Sequence, residues 1–235
     1  MKFEKTEVWG FEHALRGMRN PMNSWEKSDS HYRTLENSEE EDQKILNGDY
    51  YEIGENDMKL AKSLVRAGEP HRKFLRQIFV SVDITAPLYW WKEFDTYKVG
   101  TVANSTSTMH KLASTPITKE CFEMDDFGDI DISTVIFDKR LNLKTSSFYD
   151  LILIPYLEKL RQNYNETKDK CYWKELIRLL PESWLQTRTI TMNYENVLNM
   201  VKYRMNHKLT EWSESFMGWV KSLPYANEFI FDCDL

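Results

Sequence analysis

Residues 77–94 constrain the fold more than any other stretch of the chain. From Gln77 to Ile84 the apolar residues Ile78, Val80, Val82 and Ile84 alternate with Phe79, Ser81 and Asp83, the two-residue period of a strand. Ala86-Pro87 breaks it, because proline lacks the amide that a ladder needs while its fixed φ suits the start of a helix. Leu88-Tyr-Trp-Trp-Lys-Glu-Phe94 then reads as an amphipathic helix dominated by aromatic rings. The Trp90-Trp91 pair belongs in a core or on an oligomer face.

The rest of the chain mixes strands and helices. Lys2–Trp9 alternates and predicts a short strand, and Phe11–Met18 a short helix that stops near Asn20-Pro21. Residues 24–49 form a polar insert, with Ser28-Asp29-Ser30 as a candidate helix cap and an acidic run at 38–42 that reads as a solvated face. Met58, Leu60, Ala61, Leu64 and Val65 predict a helix over 56–67, with Gly68 as its C-cap. Residues 101–108 have no apolar period and predict a loop, the kind of segment where binding groups sit. A second polar insert near 118–133 carries Asp125, Asp126, Asp129 and Asp131. Residues 148–163, 173–180, 194–206 and 209–222 predict helices, with a strand at 188–192. The sum is an α+β chain with a helical C-terminal half.

Composition narrows the function. Gly and Pro number only 8 and 7 in 235 residues, which disfavours glycine-rich phosphate loops, solenoids and turn-dense all-β folds. With 31 Lys+Arg against 37 Asp+Glu the net charge is -6, the wrong sign for coating nucleic acid. The charged N-terminus lacks the apolar core of a signal peptide, and no apolar run is long enough for a bilayer. Three widely spaced cysteines fit reduced thiols in a cytoplasmic protein. No Cys or His pair has zinc-ligand spacing, and the acidic residues do not form an EF-hand, so no metal is expected. Cys121 and Cys171 lie in acidic or mixed surroundings that do not activate a thiol, and Cys233 is near the end of the chain. Of the five histidines His71 is best placed for a site, between Gly68-Glu69-Pro70 and the strand.

Strand, proline break, aromatic helix and polar loop, taken together, resemble the flavin-dependent thymidylate synthases (ThyX). In that family a Gly-His segment leads to a strand, Ala-Pro, an aromatic helix and the signature R-H-R-x-x-S-x-N-E-x-S-x-R-Y. A second stretch agrees: Arg178-Leu-Leu-Pro181, Thr187, Asn193, Asn199 and Arg204 are similar to the family's Arg-x-x-Leu-Pro, Thr and Asn-x-Arg-Ser-Leu-x-(Asn/His)-x-x-x-x-Arg pattern. The signature itself is altered. In the ungapped register Thr96-Tyr97-Lys98 stands where R-H-R belongs, Thr101 and Thr106 at the two serines and Ala103-Asn104 at Asn-Glu; a register shifted by one instead matches Asn104 to Asn and Ser107 to Ser and leaves no arginine. Glu93 replaces a glutamine and Glu195 an arginine.

The resemblance implies a single ThyX-like domain over 1–235, strongest over 71–212, with a central, mostly antiparallel sheet flanked by helices. It implies reductive methylation of dUMP to dTMP with methylenetetrahydrofolate and NADPH as co-substrates and FAD as cofactor, in a homotetramer with sites at subunit interfaces. The helix at 88–94 would then be part of such an interface. Arg204 is the implied catalytic residue. Arg178, Arg204 and Thr106 would hold the nucleotide, and His71, Lys98, Asn104, Asn193 and Asn199 the FAD. Each family arginine that is replaced takes with it about 1.5–3 kcal/mol of charge-assisted anion binding. Arg72, Lys73, Arg76, Lys92 and Lys111 flank the altered motif as candidate replacements. The departures also support two rival readings, an inactive ThyX-like nucleotide- or flavin-binding protein and an interaction protein on the same fold.

Overall fold

A computed structural model describes residues 1–34, 49–128, 130–132 and 144–232. The acidic run at 38–42, Asp129 and Cys233 lie outside the described residues. Along the chain, β1 (Lys2–Trp9) leads to α1 (Phe11–Met18), and a hairpin of β2 (His31–Thr34) and β3 (Asp49–Glu52) precedes α2 (Glu55–Arg66). Strand β4 (Phe79–Pro87) runs straight into α3 (Leu88–Phe94), followed by β5 (Val102–Ser105) and α4 (Thr108–Lys111). Next come α5 (Thr145–Phe148), α6 (Ile154–Thr167) and α7 (Lys170–Arg178). The chain closes with β6 (Leu185–Asn193), α8 (Tyr194–Arg204) and α9 (Met217–Lys221). Among the described residues no helix is long and apolar enough to cross a membrane.

Four strands form one sheet in the order β1-β4-β6-β5. Side-chain pairs fix its sense. Lys5 Nζ meets Asp83 at 3.1 Å and Trp9 stacks on Phe79, so β1 and β4 run antiparallel. Thr187, Thr189 and Thr191 meet Thr85, Asp83 and Ser81 in turn, so β6 is antiparallel to β4 as well. The alternation read in the sequence is kept: Val80, Val82, Ile84 and Ala86 are buried while their neighbours are half-buried.

The loop expected at 101–108 is instead an edge strand and a short helix. All four residues of β5 are exposed, so neither face carries the apolar alternation by which a strand is recognised. Ser107 caps α4 by accepting from the His110 amide at 3.0 Å.

The described residues group into two compact units. The first contains residues 1–2, 84–96 and 104–188. Its helix α3 has no side-chain cap; its leading amides, on Leu88 and Tyr89, donate to the carbonyls of Trp184 and Glu182. Trp90, Trp91 and Phe94 are buried inside the single chain. Those three rings are therefore core, not the subunit-facing surface expected of this helix. A further cluster of Leu112, Ile117, Phe122, Leu157, Leu160 and Leu176 packs under α6 and α7.

The second unit contains residues 3–83, 97–103 and 189–235. Ser28-Asp29-Ser30 does act as a cap, but across space. Asp29 accepts from the Asn56 and Asp57 amides at the start of α2, at 2.9 and 3.1 Å. Gly68 ends α2 at φ +93, as expected of a C-cap glycine.

Candidate functional site

The altered signature and the second motif meet within the second unit. Asn193, at the end of β6, caps α8 and forms a reciprocal box with Asn196: each side chain accepts from the other's backbone amide. Asn196 then uses its Nδ2 to donate to the Val99 carbonyl at 2.7 Å. The turn it holds is closed from within, because Thr101 Oγ1 donates to the Tyr97 carbonyl at 2.8 Å. Gly100 stands at φ +81, and a Cβ there would meet the Asn196 side chain at 2.9 Å. That position requires glycine twice over.

Arg204 lies at the other end of α8. Its Nε donates to Tyr97 Oη at 3.0 Å, and its guanidinium sits 5.6 Å from the Tyr97 ring and 5.2 Å from the buried ring of Trp212. Both distances fall within cation–π range. The 97–103 turn is thus docked on α8 at both ends of the helix.

Glu195, in the first turn of α8, is buried. It accepts from Arg72 Nε at 3.2 Å and pairs with Arg76 Nε. Arg76 also reaches Glu69, and Arg72 Nη2 reaches Asn199 Oδ1 at 3.4 Å. Both arginines among the five cations that flank the altered motif are therefore already matched to carboxylates, and so is Lys92, which pairs with Glu182 at 2.6 Å. Through the same contact the Asn199 amide oxygen is occupied, which leaves its NH2 as the group to offer a ligand.

His71 directly precedes this network and is exposed. It helps line a cavity of about 430 Å3, with Met18, Leu60, Leu64 and Phe74 as apolar wall and Lys73 and Gln77 as polar partners. Small-molecule sites have this size and this mix of apolar walls with few polar groups. His71, Lys73 and Gln77 are among the side-chain donors in the cavity lining.

Three expected site residues belong to the first unit. Asn104 and Thr106 are exposed. The Thr106 amide donates to the Thr187 carbonyl at 2.9 Å, and its own carbonyl accepts from Gln186 Nε2 at 2.9 Å. Arg178 is exposed on the last turn of α7. Lys98, in the second unit, is exposed on the 97–103 turn. Sequence reading missed Arg188, which lies 4.3 Å over the Trp91 ring and donates to Asp95 at 2.8 Å and to Gln186. The signal was an arginine inside an otherwise neutral strand, next to the motif residue Thr187. The Cys171 thiol is raised by desolvation and by Asp169, the inert behaviour expected from acidic surroundings.

No protein-family profile matches this sequence, and no curated protein sequence matches it. Solved structures do. A crystal structure of flavin-dependent thymidylate synthase ThyX from Helicobacter pylori, complexed with FAD and dUMP, is 16% identical with a TM-score of 0.64, over 99% of each chain. A second H. pylori ThyX structure with FAD and dUMP, at 15% identity, gives 0.65 over the same shares. The chain has the ThyX fold. The likeness spans the chain at low identity, so it extends to the topology and not to the side chains. Fold alone does not carry activity, so the chemistry has to be argued from the residues.

Proposed function

We propose that this chain is a divergent ThyX-type thymidylate synthase, methylating dUMP with methylenetetrahydrofolate and NADPH and using FAD. The observation that carries the reading is the docking of the 97–103 turn on α8, through Asn196 to Val99 and Arg204 to Tyr97. Two motifs matched separately in sequence are brought together, which a chance resemblance would not do. In this reading the cavity beside His71 takes the flavin ring, and polar contacts elsewhere on the cofactor are assigned to Asn199, Asn193 and Lys98. When bound, FAD supplies hydride transfer, chemistry that no side chain can provide. Arg204 binds the nucleotide and stabilises negative charge as it develops on the uracil. The assembly assigned to it is a homotetramer, checked by light scattering in solution.

The test starts from protein purified without added cofactor. A flavin absorption band, or saturable FAD binding on titration, followed by dUMP-dependent turnover supports the reading. Absence of all three overturns it. The second reading, a ligand-binding relative without catalysis, is favoured by Glu195, which occupies Arg72 and Arg76. Growth of a thymidine auxotroph on this chain would exclude that alternative.

A further inference from the structure

We propose that Tyr97 and Trp212 are positioning residues for Arg204, fixing its guanidinium for an acceptor oxygen of the nucleotide; the inference rests on the reading of the site given above. Tyr97 stands at the histidine of the R-H-R signature in the ungapped register, where neither its ring nor its hydroxyl had an evident task. In the structure it has two. Its hydroxyl accepts from Arg204 Nε at 3.0 Å, and its ring stands 5.6 Å from the guanidinium.

Trp212 adds a second ring at 5.2 Å and itself lies 6.3 Å from Tyr97, at an interplanar angle of 61°. It cannot drift. The indole is fully buried, with Phe216 edge-on at 5.1 Å, and it sits on a π-helical stretch, Glu211–Phe216. Such stretches occur often at functional sites, where the wider turn re-aims a side chain. The backbone of Tyr97 is held too, since its carbonyl accepts from Thr101 and the following turn is tied to Asn196.

A free arginine carries about 2 kcal/mol of rotamer entropy, which a ligand must overcome when it immobilises the side chain. Here that ordering is done by the fold before any ligand arrives. The use of Nε by Tyr97 also sets which edge of the planar fork is turned away from the tyrosine. The altered signature is on this view a rewired one: the loop no longer supplies its own arginines but orients an arginine of α8.

The experiment measures dUMP affinity by calorimetry on the protein as purified, with Tyr97→Phe, Arg204→Lys and the double variant. The inference expects Tyr97→Phe to keep its flavin content and melting temperature while its Kd for dUMP rises about tenfold, the effect of about 1.4 kcal/mol. Arg204→Lys weakens binding at least as much, and the double variant is no worse than Arg204→Lys alone. A Tyr97→Phe protein that binds dUMP like the wild type while Arg204→Lys does not would overturn the positioning role, as would simple additivity. Wild-type affinity in Arg204→Lys would instead overturn the substrate role of Arg204, and the inference with it. Hydrogen exchange at the Arg204 Nε–H, followed by NMR without nucleotide, is independent of both. It is slow in wild type and accelerated in Tyr97→Phe; fast exchange in the wild type rejects the contact outright.

Discussion

Arg72 donates through Nε to Glu195 at 3.2 Å, joining the turn after His71 to a buried carboxylate on α8. An acid at 195 reads in sequence as the loss of a family arginine. In the structure it is one partner of a charge arrangement in which Arg72 and Arg76 stand on the other side. Its place in the first turn of α8 also suits a negative charge, because the helix dipole is positive there. Glu195→Gln takes the buried counter-charge from Arg72 and leaves Arg76 only the exposed Glu69, and the expected loss is about 2–4 kcal/mol in urea unfolding. Glu195→Arg combined with Arg76→Glu should recover part of it, since one pair is re-formed. A double variant as unstable as Glu195→Arg alone would reject the pairing.

The hydrophobic period made the frame of this fold legible. α1, β4, α3 and α8 begin or end within about two residues of their sequence boundaries, because each buries apolar side chains, and so does β1, whose half-buried Phe3 and Val8 lie beside charged neighbours. Strand β5 was not legible, since all its residues are exposed and strand character came only from pairing. The resemblance singled out Arg204, Asn193 and Asn199, but the contacts that Arg204 and Asn199 make are to residues far away in sequence. Tyr97 lies 107 positions from Arg204, and Arg72 lies 127 from Asn199. A neutral-looking turn, 97–101, gave no sign that Asn196 would hold it. Asp29, read as the cap of a local helix, caps α2 instead because its own segment goes on into β2.

Gly100→Ala tests the turn that docks the signature loop. The substitution places a Cβ against Asn196 and forces a side-chain-bearing residue to φ +81. The expected cost is about 1–2 kcal/mol of stability. If the turn sets Tyr97, dUMP affinity falls as well, while Gly68→Ala costs stability alone, because nothing lies within 4 Å of a Cβ at 68. Equal effects of the two variants on affinity would show that the turn has no part in the site.

Asp57 holds the N-terminal segment to α2. The carboxylate is fully buried and receives Arg19 and both Ser28 and Ser30 hydroxyls. Burial pushes its pKa up, but the hydrogen bonds from Ser30, Ser28 and Arg19 outweigh that and hold it below the ordinary value. Asp57→Asn strands Arg19, which is itself buried, so the expected loss is about 3–5 kcal/mol. Arg19→Met removes the opposite partner with less desolvation left behind and should cost less. The two unfolding curves decide this; a larger loss in Arg19→Met would contradict the account.

Glu158 provides the pH dependence. Hydrogen bonds from Arg161 pull its carboxyl down to about 2, against burial, which raises it, and with help from the Ile117 amide and Gln162. Its pKa is thus lower in the folded chain than in the unfolded one, where it returns to the ordinary glutamate value. The stabilisation is then fully present above the unfolded pKa and is lost as pH falls through the folded value. Glu158→Gln keeps the shape but gives up the charge, and at neutral pH it should cost about 1–2 kcal/mol. The decisive measurement is the difference in urea stability between wild type and variant at about pH 6, 4 and 3. It should be constant down to the unfolded pKa and shrink below it, because the wild type loses an interaction that the variant never had. A difference that stayed constant over the whole range would mean that Arg161 holds the protonated acid as well as the carboxylate, and the proposed origin of the shift would be wrong.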